Sequence, residues 1–282
     1  MTTVPTSTLP ARTIVAGFLA FALMGAAQAM YGPSIPRLGE FYGENLARTG
    51  LILSAHALGA LVGVLGSVPL ERTALARWRA VLSVALIALG GLTLGLGPTL
   101  GLALVGAVVV GLGYGGLTIG LNGLFSRAFG ERSGAMLNLL NAMFGIGSVL
   151  GPLVVSLAVR LDPRAPFVVL AVACALAAPL ALSVDDRLPP APPERTATSK
   201  PLLLAFVALL VLGVGVEASS AGWAATYLVT LGASAGSAAT FTAVYFTAFT
   251  LGRFLAAPLS LRVPPARFVG GTLALALVAL LL

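Results

Sequence analysis

Cysteine, histidine and lysine each occur once in 282 residues, and only 9% of the chain is charged. The lone cysteine, Cys174, excludes a disulfide framework, and with one histidine, His56, no Cys/His cluster of metal-ligand spacing can be built. The same scarcity leaves no nucleophile–base–orienter set. Neither a GxxxxGK[ST] phosphate loop nor an HExxH pair occurs. ATP-driven transport and metallo-hydrolysis are therefore not expected, nor is a cofactor, a metal or enzymatic activity. The shortage of charge excludes more. Soluble domains carry roughly 25% charged residues. A chain that is 58% hydrophobic with a mean hydropathy of +1.03 cannot cover a water-facing surface. It is an integral membrane protein, with the lipid bilayer as its first partner. The net charge of +7 would suit nucleic acid, but the basic residues lie between apolar runs and form no continuous patch, so no nucleic-acid partner is expected.

What the sequence has in abundance is long apolar runs. They cover 13–35, 49–70, 80–97, 100–125, 133–159, 165–184, 202–228, 237–261 and 268–282. By the criterion of about 20 residues per crossing they read as nine transmembrane helices in an all-α polytopic membrane bundle. The first, with Arg12 ahead of it and Ala27-Gln28-Ala29 inside it, has the look of a secretory signal. It stays apolar past that triplet, which favours an uncleaved helix. The segment 185–200, DDRLPPAPPERTATSK, is the one long polar stretch, and its prolines and charges need water. It divides the chain into an N-terminal six-helix unit (1–184), a linker (185–200) and a three-helix remainder (201–282). The final run stops without a polar flank, as if cut inside a ninth helix.

Sixteen Lys and Arg residues set the orientation. With the N-terminus inside, twelve face the cytoplasm and four (Arg37, Arg48, Arg160 and Arg164) face out, as the positive-inside rule requires. Fifteen arginines to one lysine, with 34 glycines, point to a bacterium and so to its cytoplasmic (inner) membrane. An internal echo supports the division. Gly63 precedes Pro69-Leu70 by the same spacing as Gly252 precedes Pro258-Leu259, and basic residues follow both.

Glu217 is the residue the pattern singles out. It lies near the middle of the 202–228 run, between Gly213, Gly215 and Ser219, Ser220, Gly222. A carboxylate at membrane depth costs several kcal/mol unless paired, hydrated or protonated. It either exchanges protons, accepts hydrogen bonds from a solute, or pairs structurally with Arg253. Trp223 and Tyr227 on the same run can stack on a sugar ring, or anchor the helix at the interface. Gln28, Asn122, Asn138 and Asn141 are uncharged polar groups at depth, and either line a solute pathway or bond between helices. His56 is either a titrating group or a satisfied packing residue.

Six spans, a polar linker and a repeating second half resemble the major facilitator superfamily. The stretch Gly66-Ser67-Val68-Pro69-Leu70-Glu71-Arg72 with Arg77 and Arg79 resembles that family's cytoplasmic loop motif, lacking its glycine before the basic cluster. Gly147-Ser148-Val149-Leu150-Gly151-Pro152 resembles the Gly-Pro signature of antiporters and some sugar transporters. Gly32-Pro33, 113–122 and Gly222-Trp223 followed by Thr226-Tyr227 look most like the fucose/glucose:proton symporter branch. The resemblance implies a secondary transporter of a small polar solute such as a sugar, working by alternating access, with proton coupling as an option. It also implies that about three helices of the second half are missing. Where that branch uses carboxylates in its first and fourth helices, this chain has amides, leaving Glu217 as the central acid. Drug efflux is the alternative within transport; a non-transporting membrane assembly subunit is the alternative outside it.

Overall fold

A computed structural model describes residues 9–70, 73–129, 132–185, 199–260 and 263–281. Glu71, Arg72 and linker residues 186–198 lie outside the described residues. Nine α-helices are found there: α1 (Ala11–Tyr42), α2 (Leu46–Leu70), α3 (Arg79–Leu96), α4 (Leu100–Ala128), α5 (Ser133–Ala158), α6 (Ala165–Ala181), α7 (Lys200–Thr230), α8 (Ala235–Ser260) and α9 (Pro265–Leu281). A 3₁₀ turn, Ala74–Trp78, leads into α3 and is capped by the Thr73 hydroxyl on the Leu75 N–H. Six helices, α1 to α5 (α3 counted with that turn) and α7, are long and apolar enough to cross a membrane. The helices α6 and α9 have 17 residues each. Arg253 and four threonines interrupt the apolar sequence of α8, which is not among those six.

The first helix is longer than the apolar run that announces it. Pro33 and Pro36 suggest an end near 35, yet the helix continues to Tyr42 and closes on Gly43, whose φ of 66° is the left-handed cap glycine supplies. Each proline removes one backbone hydrogen bond, but buried neighbours hold the rest of the turn.

Among α1–α6, α1 packs on α5, α2 on α4, and α3 on both α4 and α6. These contacts run over glycine. A Cβ on Gly147 would strike the Ala22 carbonyl, one on Gly25 the Phe144 carbonyl, and those on Gly59 and Gly63 the carbonyls of Val108 and Leu112. Backbones this close replace hydrophobic driving force, which lipid does not supply, with van der Waals contact. Fully buried large side chains (Tyr31, Phe125, Phe167, Met24, Ile87) fill the centre, while leucines such as Leu65, Leu96, Leu157 and Leu176 face outward.

At one end of the bundle Arg164 ties three turns together. Its guanidinium reaches both Asp162 oxygens (Nε–Oδ1 3.1 Å and Nη2–Oδ2 3.0 Å), reaches the Gly97 carbonyl at 3.4 Å, and lies 4.2 Å over the Phe41 ring. Tyr42 donates to the same carbonyl at 3.4 Å.

The later helices join from one side. The second half of α7 sits on α1 and α8 and touches α2 at Gly50 and Leu53, whereas its described residues before Glu217 are exposed. Along α5, α8 packs closely, with Thr250 against Gly145. Its threonines return their hydroxyls to their own helix, Thr242 to Ala238 at 3.0 Å, Thr247 to Ala243 at 2.8 Å and Thr250 to Phe246 at 2.7 Å. That satisfies each hydroxyl without water.

Candidate functional site

The periodicity of α7 decides which of its polar residues look inward. Glu217 shares a face with Ala221, Ala225 and Leu228, the face that meets the bundle. The half-buried Glu217 carboxylate interacts electrostatically with Arg253 of α8, with Tyr114 of α4 and with Tyr245 of α8. It makes no hydrogen bond or contact ion pair among the described residues. Arg253 lies instead over the Phe249 ring, 4.2 Å from its centroid. The pair is thus matched in charge but not clasped. An acid held this way can release or take a proton, or accept hydrogen bonds from a solute, without first breaking a salt bridge.

Tyr114 extends the site into the interior. Its ring stands edge-on to His56 at 5.2 Å and to Phe144 at 6.4 Å. His56 is 8% exposed and also lies 5.0 Å from the ring of Tyr31, which in turn contacts Phe167 at 5.5 Å. Six helices therefore contribute to one continuous group: Glu217 from α7, Tyr245 and Arg253 from α8, Tyr114 from α4, His56 from α2, Tyr31 from α1 and Phe144 from α5, with Phe167 of α6 behind them. Sequence reasoning had found Glu217 and His56. It missed Tyr31, Tyr114 and Tyr245, because a tyrosine inside an apolar run has no spacing signature.

The other sequence candidates are placed as follows. Trp223 lies on the flank of α7, 41% exposed, with its Cη2 against Gly50 of α2, where an added Cβ would come within 2.5 Å. Tyr227, one turn further on that flank, is 64% exposed. Neither shares the Glu217 face. The Asn122 and Asn141 side-chain amides each donate back to their own helix, to Thr118 O and Leu137 O, both at 2.8 Å. Asn138 is exposed. Gln28 is half-buried, with no side-chain hydrogen bond among the described residues. Gly147 and Gly151 lie buried against α1, with the Ala26 carbonyl 2.6 Å from a Cβ built on Gly151, and Pro152 is buried beside them. Of the loop motif, Arg79 is 4% exposed and donates to the Ser67 carbonyl at 3.3 Å, Arg77 lies 5.0 Å over Trp78, and Gly66 is in open space.

One end of the assembly is drawn together. A Cβ on Gly32 of α1 would meet the carbonyls of Gly222 and Ala221 of α7 at 2.6 and 2.8 Å, and one on Gly222 would touch Leu53 Cδ1 at 3.1 Å. Beyond these contacts lie two clefts of about 710 and 420 Å³, the first between Pro36, Gly39, Asn45 and Val229 and the second between Tyr42, Arg48 and Pro98. Neither contains Glu217 or His56.

The description "Major Facilitator Superfamily" belongs to a family model that matches residues 17–282. No curated protein matches this chain in sequence. Among solved structures, a D-xylose–proton symporter superimposes with a TM-score of 0.67 at 17% identity, over 87% of this chain and 67% of that one. A bacterial homologue of the human lysosomal transporter Spinster, inward-facing and unoccupied, gives 0.65 at 18% identity, over 89% of this chain and 63% of that one. At such identity the likeness is one of fold. Both neighbours fit the superfamily, and neither singles out the fucose branch.

Proposed function

The chain belongs to the major facilitator superfamily, and on that premise we propose that it carries a small polar solute, a sugar or related metabolite, by alternating access, with Glu217 as its proton-exchanging group. The observation that carries the proposal is the Glu217 carboxylate held at membrane depth on the inward face of α7, opposite Tyr114, Tyr245 and Arg253 and bonded to none of them. Phenol hydroxyls and a carboxylate are the groups that recognise sugar hydroxyls. Residues 1–184 form the first half of the transporter, 185–200 its cytoplasmic linker, and 201–282 belong to the second half. The twelve-to-four distribution of basic residues supports an N-terminus inside, and fifteen arginines to one lysine with 34 glycines support a bacterial inner membrane.

The test is uptake into proteoliposomes with a panel of pentoses and hexoses, with and without an inward-directed pH gradient. Glu217→Gln is expected to abolish the gradient-driven component by about tenfold or more while leaving solute exchange at equal pH. Uptake in Glu217→Gln that still follows the gradient would remove Glu217 from coupling.

A second reading, efflux of flat amphipathic cations, draws on the aromatic rings that continue from the acid's neighbours, Phe144 beside Tyr114 and Phe246 and Phe249 beyond Tyr245. Competition between a sugar and an aromatic cation in the same vesicles separates the two.

A further inference from the structure

The turn Ala74–Trp78 between α2 and α3 has a construction that transport by itself leaves unused. Both flanking helices are long and apolar enough to cross a membrane, so the turn lies at the bilayer surface. It is pinned from below. Ala76 is buried, and the Thr73 hydroxyl accepts from the Leu75 N–H at 3.3 Å and donates to the Leu70 carbonyl at 2.9 Å. The next residue, Arg79, is buried and donates to the Ser67 carbonyl at 3.3 Å. By contrast Leu75, Arg77 and Trp78 are exposed. Trp78 heads a stripe that continues along α3 through Leu82, Leu89 and Leu96, all exposed and spaced as one face of a helix. A tryptophan at the end of such a face sits at headgroup level. The Arg77 guanidinium lies 5.0 Å from the centroid of the Trp78 ring. That ring holds the cation in place but offers it no acceptor oxygen, and Arg77 has no carboxylate partner among the described residues. At the opposite end of the bundle arginines are neutralised, Arg37 by Glu40, Arg48 by Glu44 at 2.8 Å and Arg164 by Asp162 at 3.0 Å.

We propose that this turn is a binding site for an anionic phospholipid. The N–H donors of Arg77 take the headgroup phosphate, and Trp78 with Leu82 takes the beginning of an acyl chain. A guanidinium matches a phosphate through paired N–H donors. A basic residue at the bilayer surface is drawn to a lipid of net negative charge over a zwitterionic one. The apolar flank selects a lipid over free phosphate, because only a lipid brings chains to cover Trp78 and Leu82. The inference requires that the chain span a bilayer and is independent of whether it moves a solute.

Trp78 and Trp223 are the only tryptophans, so Trp223→Phe leaves Trp78 as the sole indole emitter. The full chain is placed in nanodiscs of phosphatidylglycerol and phosphatidylcholine at one fixed composition, with bromine near the headgroup end of the acyl chains of one lipid or the other. Bromine quenches an indole on contact. Quenching of Trp78 should be about twofold or more stronger when phosphatidylglycerol carries the label, and adding Arg77→Gln should remove most of that difference. No quenching by either lipid would put the turn in water. That result, equal quenching by the two lipids, or a preference that survives Arg77→Gln, overturns the proposal. Native mass spectrometry repeats the comparison on a chain that keeps Trp223, so the test does not hang on that substitution. Extracted from an equal mixture, the unmodified chain should retain phosphatidylglycerol in about threefold or more excess, and Arg77→Gln should lower that excess. Parity in the unmodified chain, or an excess that Arg77→Gln leaves unchanged, overturns the proposal as well.

Discussion

At the scale of single residues, what matters is whether a polar group at membrane depth has a partner. Thr250, Asn122 and Asn141 have theirs in their own helix turn, so their removal should cost little. Asn141→Leu is expected to retain most uptake and to shift the melting temperature in detergent by no more than a few degrees, since a self-satisfied amide contributes about 1 kcal/mol. A loss as deep as that of Glu217→Gln would show that Asn141 meets the solute. Outside the membrane, the hydrogen bond from Arg164 holds the Asp162 carboxyl below its usual value of 3.8. A carboxyl depressed by folding stabilises the chain above its unfolded value, and that contribution disappears as pH falls through the lower, folded one. Asp162 is 41% exposed, so the effect is screened and small. Melting curves taken between about pH 5 and 3 should fall less steeply in Asp162→Asn than in the parent chain.

At the scale of elements, helix pairs are set by glycine. Gly147 of α5 faces the Ala22 carbonyl of α1 so closely that any side chain must push the two apart. Gly147→Leu is expected to destabilise the folded protein by about 1–3 kcal/mol, read as a lower melting temperature and a larger aggregated fraction on size exclusion. Gly66, with nothing near its Cβ position, is the control, and Gly66→Ala should be neutral. These pairings were half legible. Glycine-rich runs announced close packing, but which helix each would meet was not written in them. The Asn residues show the opposite failure. The sequence left them either lining a solute pathway or bonding between helices, whereas a short side chain at depth finds its nearest acceptor one turn back on its own backbone.

At the scale of the whole molecule, α7 meets α1 and α2 through Gly32, Gly222 and Trp223, and alternating access requires that contact to open and close. Leu53→Cys with Gly222→Cys, in a Cys174→Ala background that leaves no other thiol, should cross-link under mild oxidation and stop uptake by about tenfold or more until reduced. Full cross-linking with uptake intact would show that this contact is static. With Trp78→Phe, Trp223 becomes the sole tryptophan, and its emission should change when solute or pH shifts the equilibrium between states.

Composition alone determined that this polypeptide lives in lipid, because 9% charged residues cannot clothe a surface in water. The apolar runs determined nine helices, since a backbone without water must bond within its own segment. Glu217 also stood out unaided, because a carboxylate in such a run is costly wherever it points. Only the tertiary structure decided what surrounds it. Tyr31, Tyr114 and Tyr245 come from three helices far apart in sequence, and a ring inside an apolar run carries no sign of the neighbour it will face. Periodicity gives a helix its faces, but only packing chooses which face meets which partner.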